Sequence, residues 1–430
     1  MMRQAIASKA TSAVRQRELR YFDNNATTRV APEVIEAMLP FLRDYWGNPS
    51  SVYQFGKQIA GHVEKARAKV AAFVNADPKE IVFTSCGTES NNSAIHSALV
   101  LQPDKRHVVT TAVEHSANIN FCQFLEKRGY EVTFLPVEPD GSLDLHLLDK
   151  SIRKDTAIVS VMWANNETGV IFPVDEVAAI CRSHEVLCHT DAVQAAGKLN
   201  VDVKALGVDF LSLSAHKLYA PKGIGMLYVR QRTKYQPYII GGHQERSRRG
   251  GTENVASIVA FGRAAELAVS NLDDQNARVQ SLRNRMEETI LKTIPDTVRN
   301  GAKDARLPNT SSIAFDFVEA EALLMQLDQK DICASSGSAC TTGSLEPSHV
   351  LTAMGLSPMR ARGCVRFSLG IYNTDDEVDY LLKNLPSIVA RLRSISPPSS
   401  VHPDNGTNET ETAHKRHKER TGTALAHKNR

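Results

Sequence analysis

No run of apolar residues in the 430-residue chain approaches the ~18–20 that a membrane-spanning helix needs. Residues 1–20 contain no apolar core of the signal-peptide kind and carry five Arg and Lys against one Glu, so they read as a flexible basic N-terminus, with a faint likeness to a transit segment. Cysteine is scarce: seven residues (Cys86, Cys122, Cys181, Cys188, Cys333, Cys340 and Cys364), odd in number, scattered, with no CxxC pair. That usage excludes a disulfide scaffold and zinc-finger chemistry and points to a reducing cytosol, hence a cytoplasmic protein. Neither GxGxxG nor GxxxxGK[ST] occurs, which argues against a dinucleotide or P-loop phosphate site. Charge of one sign is lacking too. The formal net charge is +3, the two ends supply more than all of it, and the middle is slightly negative, a poor field for nucleic acid.

What is present fits a soluble globular chain: 42% hydrophobic and 23% charged residues, long enough for two domains. From Ile81 to Arg230, apolar β-rich runs alternate with helical patterns. The runs are 81–84, 107–113, 131–137, 157–163, 186–190, 210–214 and 225–229. Several are apolar almost throughout, as strands buried on both faces of a mostly parallel sheet must be. Residues 57–75 place Ile59, Val63, Ala66, Val70, Phe73 and Val74 at helical spacing. After about residue 270 the spacing predicts a helix over 273–294, a strand over 312–317, a helix over 320–330, a strand over 365–369 and a last helix. That helix opens on the capping-box residues Thr374 and Glu377 and is expected to kink at Pro386. The expectation is a large α/β domain over 35–270 and a smaller α+β domain over 271–396. The tail, 397–430, has almost no apolar residue and is expected to be disordered; its two N-x-T sequons and four His read as chance composition.

Four stretches carry candidate chemistry. In SAHKLYAPKG, Lys217 ends an apolar strand beside His216 and Ser214, where desolvation would favour the neutral, nucleophilic amine; alone, it reads as well as a surface lysine. In HTDAVQAAGK, Asp191 ends another strand, with Gln194 three residues on. A carboxylate there suits a pyridinium N–H, although Asp191 would also serve as a helix cap. FTSCGTES runs from strand to helix through Gly87 and Thr88, a backbone cup for an anion. ASSGSACTTGSLEP sets Cys340 in a small, polar stretch expected to be mobile and exposed, where a thiol suits transfer chemistry or is merely a harmless loop cysteine.

Together with YFDNNATT, GNPSS, VEHSA, MWANNETGV, GGHQERSRRGGTENVAS and VRFSLG, these stretches, in this order over residues 21–396, resemble the cysteine desulfurases of the class V aminotransferase group, most closely the NifS type. The resemblance implies fold type I of the pyridoxal-phosphate (PLP) enzymes: a seven-stranded α/β domain, a small domain with which residues 21–34 pack, and a homodimer. It also implies roles for residues. Lys217 is similar to the lysine that binds PLP covalently, Asp191 to the partner of its ring nitrogen, and Gln194 and Asn166 to side chains at its phenolate oxygen. His115 is similar to the stacked imidazole that also moves protons. Gly87, Thr88, Ser214, His216 and, from the other subunit, Thr252 are similar to phosphate ligands. Arg366, and with it Asn166, resembles the substrate-binding pair, and Cys340 the nucleophile that receives sulfur from L-cysteine, leaving alanine. The resemblance further implies delivery of the persulfide to an iron–sulfur scaffold protein, nitrogenase maturation as the pathway, and metal contact of Cys340 with a scaffold-shared [2Fe–2S] cluster. Tyr53 and Ala215 depart from the commoner His and Gly of the group. Housekeeping iron–sulfur assembly, selenocysteine lyase or aminotransferase chemistry, and a binding module driven by the basic ends are the alternatives. Neither nucleic acid nor membrane is an expected partner.

Overall fold

The computed structural model describes residues 18–270, 272–336 and 347–395. The strands in chain order are β1 (Arg20–Tyr21), β2 (Ile81–Thr84), β3 (His107–Thr111), β4 (Glu131–Leu135), β5 (Thr156–Ser160), β6 (Leu187–Asp191), β7 (Phe210–Ser214), β8 (Gly225–Val229), β9 (Thr297–Arg299), β10 (Thr310–Phe315), β11 (Ile332–Cys333), β12 (Ser335–Ser336) and β13 (Cys364–Ser368). Seven of them form the large sheet, in the order β2-β8-β7-β6-β5-β3-β4. Neighbours from β4 to β7 run parallel, and β8 is antiparallel to both β7 and β2. Its inner strands are buried along their whole length, which is why VVTT, AIVS and FLSLS carry so few charges. The α/β class and the seven-stranded sheet read from the sequence are thus present, and the arrangement fits the fold type I architecture.

Helices cover both faces of this sheet. On one face Gly87–Val100 and Ser116–Glu126 pack over Val82, Val108, Ile158, Phe210 and Leu227. On the other, Gln54–Phe73 packs against Val255–Ser270, where Gly262 allows close approach: a Cβ there would lie 2.9 Å from the Ala66 Cα. The sequence reading left this second helix out, because VASIVAFGRAAELAVS is apolar on most sides and shows little periodicity.

A second sheet, β12-β13-β10-β9, is antiparallel throughout and packs with the helices Leu272–Thr293, Ala320–Asp328 and Asp375–Ile395 around Ile313, Phe315, Val365 and Phe367. The last helix has its capping box: Thr374 Oγ1 accepts from Glu377 N at 3.3 Å and Glu377 Oε2 accepts from Thr374 N at 3.2 Å. It continues through Pro386 as one helix. The segment after β1 joins the two regions. Phe22 is fully buried in the core of the second sheet, Asn24 N donates to Ser368 O, and Thr28 N donates to His216 O beside the large sheet. Both sheets belong to one compact unit, Met1–Ser394. No single described helix is long and apolar enough to cross a membrane.

Candidate active site

Strands β3, β5, β6 and β7 are parallel, so their C-terminal ends share one edge of the sheet, where open α/β sheets bind ligands. The segments leaving those ends carry His115, Asn166, Asp191 and Lys217 respectively.

Asp191 is the last residue of β6 and only 7% exposed. Its Oδ2 accepts from Asn91 Nδ2 at 2.6 Å and its Oδ1 from Val193 N at 2.9 Å. Both oxygens are thereby fixed by neutral donors, with no ion pair to Asp191 among the described residues, which suits a group meant to meet a charged ligand atom. Lys217 closes the single 3₁₀ turn Ala215–Lys217 that follows β7. Its Nζ donates to the carbonyls of Asn25 and Ala26, the latter at 2.6 Å. Gln194 Nε2 donates to the same Asn25 carbonyl at 2.9 Å. The nearby Lys198 amine is pushed down to about 7 by burial and by Lys217, and it donates to Gln194 O at 3.0 Å.

His115 caps the helix Ser116–Glu126, with Nδ1 accepting from Ala117 N at 3.1 Å. Burial, with Lys217 and His349 adding and Asp191 opposing, lowers its pKa, so the ring is neutral and its proton sits on Nε2. His216 is held down to about 4 by burial and by the neighbouring lysines, and pairs with Thr27 Oγ1 at 3.1 Å. Arg366, on β13, is 2% exposed; it donates to Asn166 O at 2.9 Å and to Asp23 Oδ1 at 2.7 Å. Its Nε is buried without a partner.

An anion cup opens beside these groups. The helix Gly87–Val100 has no side-chain cap, so its first N–H groups and positive dipole end remain available. Only glycine fits at 87, because a Cβ there would lie 2.7 Å from Val193 Cγ2. Thr88 is exposed at this turn. Ser214 Oγ and Asn91 Oδ1 are buried without partners. Orphaned buried oxygens are rare and call for a ligand. A hydroxyl aimed at no protein atom, an open helix N-terminus, a fixed carboxylate and a lysine within one sheet edge fit PLP, with its phosphate, ring nitrogen and aldehyde.

Thr252 is exposed on the segment leading to Val255–Ser270, and none of the hydrogen bonds above reaches it. Cys340 lies outside the described residues. Among the described residues, no group of three or more His, Cys, Asp or Glu could hold a metal ion.

Four residues here carry no role in the sequence reading. Asp23 and Asn25 lay in the quoted YFDNNATT, but nothing local reveals that they meet Arg366 and Lys217 across more than 190 residues. Glu114 and Glu167 stand next to His115 and Asn166, fully buried. Burial raises Glu114 to about 8, against the opposing Met162 N–H, and Glu167 to about 7. Glu167 Oε2 accepts from Ser348 Oγ at 2.5 Å. Two acidic residues directly beside site residues were the available signal.

Comparison with known proteins bears on this geometry. The profile of the aminotransferase class-V family matches residues 20–381. The chain belongs to that family, among its NifS/IscS-type cysteine desulfurases. A cysteine desulfurase of Trichormus azollae is 52% identical over 377 residues, 88% of this chain and 94% of that one. A solved NifS-like protein is 39% identical with a TM-score of 0.82, over 86% of this chain and 99% of its own. SspA, solved in complex with cysteine, is 35% identical with a TM-score of 0.73, over 82% and 99%. Membership carries the PLP cofactor and desulfurase chemistry, with a cysteine persulfide destined for iron–sulfur cluster assembly.

Proposed function

We propose that the sheet edge between Asp191 and Lys217 is where this chain removes sulfur from L-cysteine, with the persulfide forming on Cys340. The observation that carries this reading is the unpartnered Ser214 hydroxyl, buried between the Lys217 turn and the open helix at Gly87. When bound, PLP supplies a sink for the electrons released at the substrate Cα.

The chain's own groups do the rest. Lys217 would hold the cofactor covalently, and its amine is the group placed to move the proton at the substrate Cα. Asp191, oriented by Asn91 and Val193, keeps the ring nitrogen protonated. Gln194 and Asn166 serve the phenolate oxygen. Gly87, Thr88, Ser214 and His216 hold the phosphate, with Thr252 of a second subunit completing it in a homodimer. His115, neutral with its proton on Nε2, is set to pass a proton. Arg366 receives the substrate carboxylate with Asn166 beside it. The Cys340 thiolate attacks the substrate sulfur: the S–S bond forms as Cβ–S breaks, the electron pair stays with the carbon fragment, one proton is added at Cβ, and return of the proton taken from Cα completes alanine.

The acceptor of the persulfide is an iron–sulfur scaffold protein in the cytoplasm, with Cys340 contacting its [2Fe–2S] cargo. Nitrogenase maturation is the pathway proposed, on the resemblance of the sequence motifs to the NifS type. Residues 35–270 act as the cofactor domain and 271–396 as the domain carrying the sulfur-receiving cysteine. The test is stoichiometric: with a dithiol present to reduce the persulfide and release its outer sulfur, purified yellow protein should form alanine and sulfide from L-cysteine in equal amounts, and it should bleach with borohydride. Colourless protein that forms no alanine when PLP is supplied would overturn the reading.

A further inference from the structure

One storey below the cofactor edge lies a polar layer with no part in the chemistry above. Side chains alternate along a strand, so Leu187, His189 and Asp191 of β6 share a face. On the same face stand Ile158 and Ser160 of β5, and Phe210, Ser212 and Ser214 of β7. The lowest of these, Ile158, Leu187 and Phe210, lie in or against an apolar cluster. The highest, Asp191 and Ser214, belong to the site. Between them His189, with no exposed surface, bonds through Nδ1 to Ser160 Oγ at 2.8 Å and through Nε2 to Ser212 Oγ at 2.9 Å.

Asn118 Nδ2 donates to Ser160 Oγ at 3.2 Å and to Glu114 Oε2 at 3.0 Å. The His189 ring is neutral, as its burial dictates by lowering its pKa to about 3, so one ring nitrogen donates to its serine and the other accepts from the serine on the opposite side. One chain, Ser212–His189–Ser160–Asn118–Glu114, runs under the strand ends that lead to Lys217, Asp191, Asn166 and His115.

We propose that His189 is a positioning residue for the cofactor site, cross-tying β5, β6 and β7 immediately beneath Asp191 so that the Lys217, Asp191 and Asn166 segments keep one mutual geometry. Main-chain bonds alone fix strand spacing, and they already join Val161 N to His189 O and Trp163 N to Asp191 O. The imidazole adds a link across three strands at once, with both ring nitrogens bonded in a buried layer where breaking the link leaves the serine hydroxyls unpaired; Asn118 Oδ1, farther along the chain of bonds, has no partner. A leucine would fill the space and carry the apolar cluster one storey higher. Ser160 and Ser212 would then have nothing to hold them in line. The inference rests on the assignment of Lys217 and Asp191 to PLP.

The experiment compares His189→Gln, His189→Leu, Ser160→Ala and Ser212→Ala with the parent protein. Circular dichroism checks the fold, titration of cofactor-free protein measures PLP affinity, and kcat and KM for L-cysteine are determined separately. Each variant should stay folded. PLP affinity should fall about tenfold for His189→Leu and less for the serine variants, as lost buried hydrogen bonds require. kcat should fall with it, while KM holds because Arg366 stands on the other sheet. His189→Gln, which retains one donor and one acceptor at this place, should recover part of both. Unchanged PLP affinity and kcat in folded His189→Leu, with only the unfolding temperature lowered, would reduce His189 to core packing and overturn the inference. Should His189→Leu fail to fold, indifference of both serine variants in PLP affinity and kcat overturns it equally. A cofactor adduct mapped to Lys217 in the parent keeps the underlying reading intact in either case; an adduct elsewhere defeats that reading and this inference with it.

Discussion

Glu287, under the four-stranded sheet, and Glu114, at the edge of the seven-stranded one, are both buried carboxyls, and they meet burial in opposite ways. Burial acts to raise Glu287, but the Arg306 fork, at 2.6 and 2.5 Å, and Ser311 Oγ, at 2.7 Å, outweigh it and hold the group below the usual carboxylate range. Glu114 has Met162 N–H, Thr111 Oγ1 and Asn118 Nδ2 but no cation, so burial, reinforced by Asp191, wins and raises it to about 8. A charge in the second region is paired and serves stability. Near the cofactor edge Glu114 stays neutral, and Asp191 is the carboxylate that the strand end presents to a ring nitrogen. The unpartnered oxygens of Ser214 and Asn91 lie on that same side of the comparison.

The comparison can be broken or sharpened experimentally. Lys217→Ala should abolish the covalent cofactor link outright, read by mass spectrometry after borohydride reduction; an adduct on Lys198 or Lys222 would move the site. Asp191→Asn should retain some PLP and lose about 10²–10³-fold in kcat, because a neutral amide cannot hold the ring nitrogen protonated. Near-normal alanine formation would make Asp191 a mere cap of its own turn.

On the other side, Arg306→Met removes the fork from buried Glu287 and leaves it only Ser311 Oγ and the longer contact of Arg299 Nη1 at 3.6 Å. It should lower unfolding stability by about 3–5 kcal/mol while kcat of the folded fraction is kept. Arg153→Ala, which breaks the exposed ion pairs to Glu131 and Asp155, should change stability by no more than ~1 kcal/mol. Equal losses in urea melts of the two variants would contradict the distinction between paired burial and surface pairing.

The same contrast predicts a pH dependence. Folding raises Glu114 from 4.5 to about 8 and Glu167 from 4.5 to about 7. Across those windows the folded protein binds more protons than the unfolded chain, so these two groups favour folding at low pH and their contribution declines as pH rises to 7–8. Glu287, lowered on folding, acts with the opposite sign: its contribution is present above 4.5 and lost as pH falls. Glu114→Gln should therefore flatten the fall in unfolding temperature between pH 5 and 8. An unchanged slope would show that Glu114 is ionised in the folded protein.

The large sheet was legible where composition and boundaries agree. IVFT, FLSLS and GMLYV are β-rich, fully buried and bounded by turn residues, and their observed limits coincide with the sequence reading. The reversed direction of β8 was not legible, because a five-residue apolar run carries no sign of its polarity. Strands β1, β11 and β12, of two residues each, are too short for any periodicity. At the site, Lys217, Asp191 and His115 announced themselves by motif. Asn25 and Asp23 did not, since their function depends on contacts with residues distant in the chain. Glu114, Glu167 and His189 were passed over because burial, which defines their behaviour, is a property of the packed protein.

The most direct test of the account follows sulfur itself. Cys340→Ala should bind PLP, stay coloured and respond spectrally to L-cysteine, because the groups assigned to the cofactor do not include that thiol. Alanine formation should nearly stop, and persulfide trapped on the parent protein should map to Cys340. Turnover like the parent's in Cys340→Ala, or persulfide found chiefly on the half-buried Cys333, would contradict it.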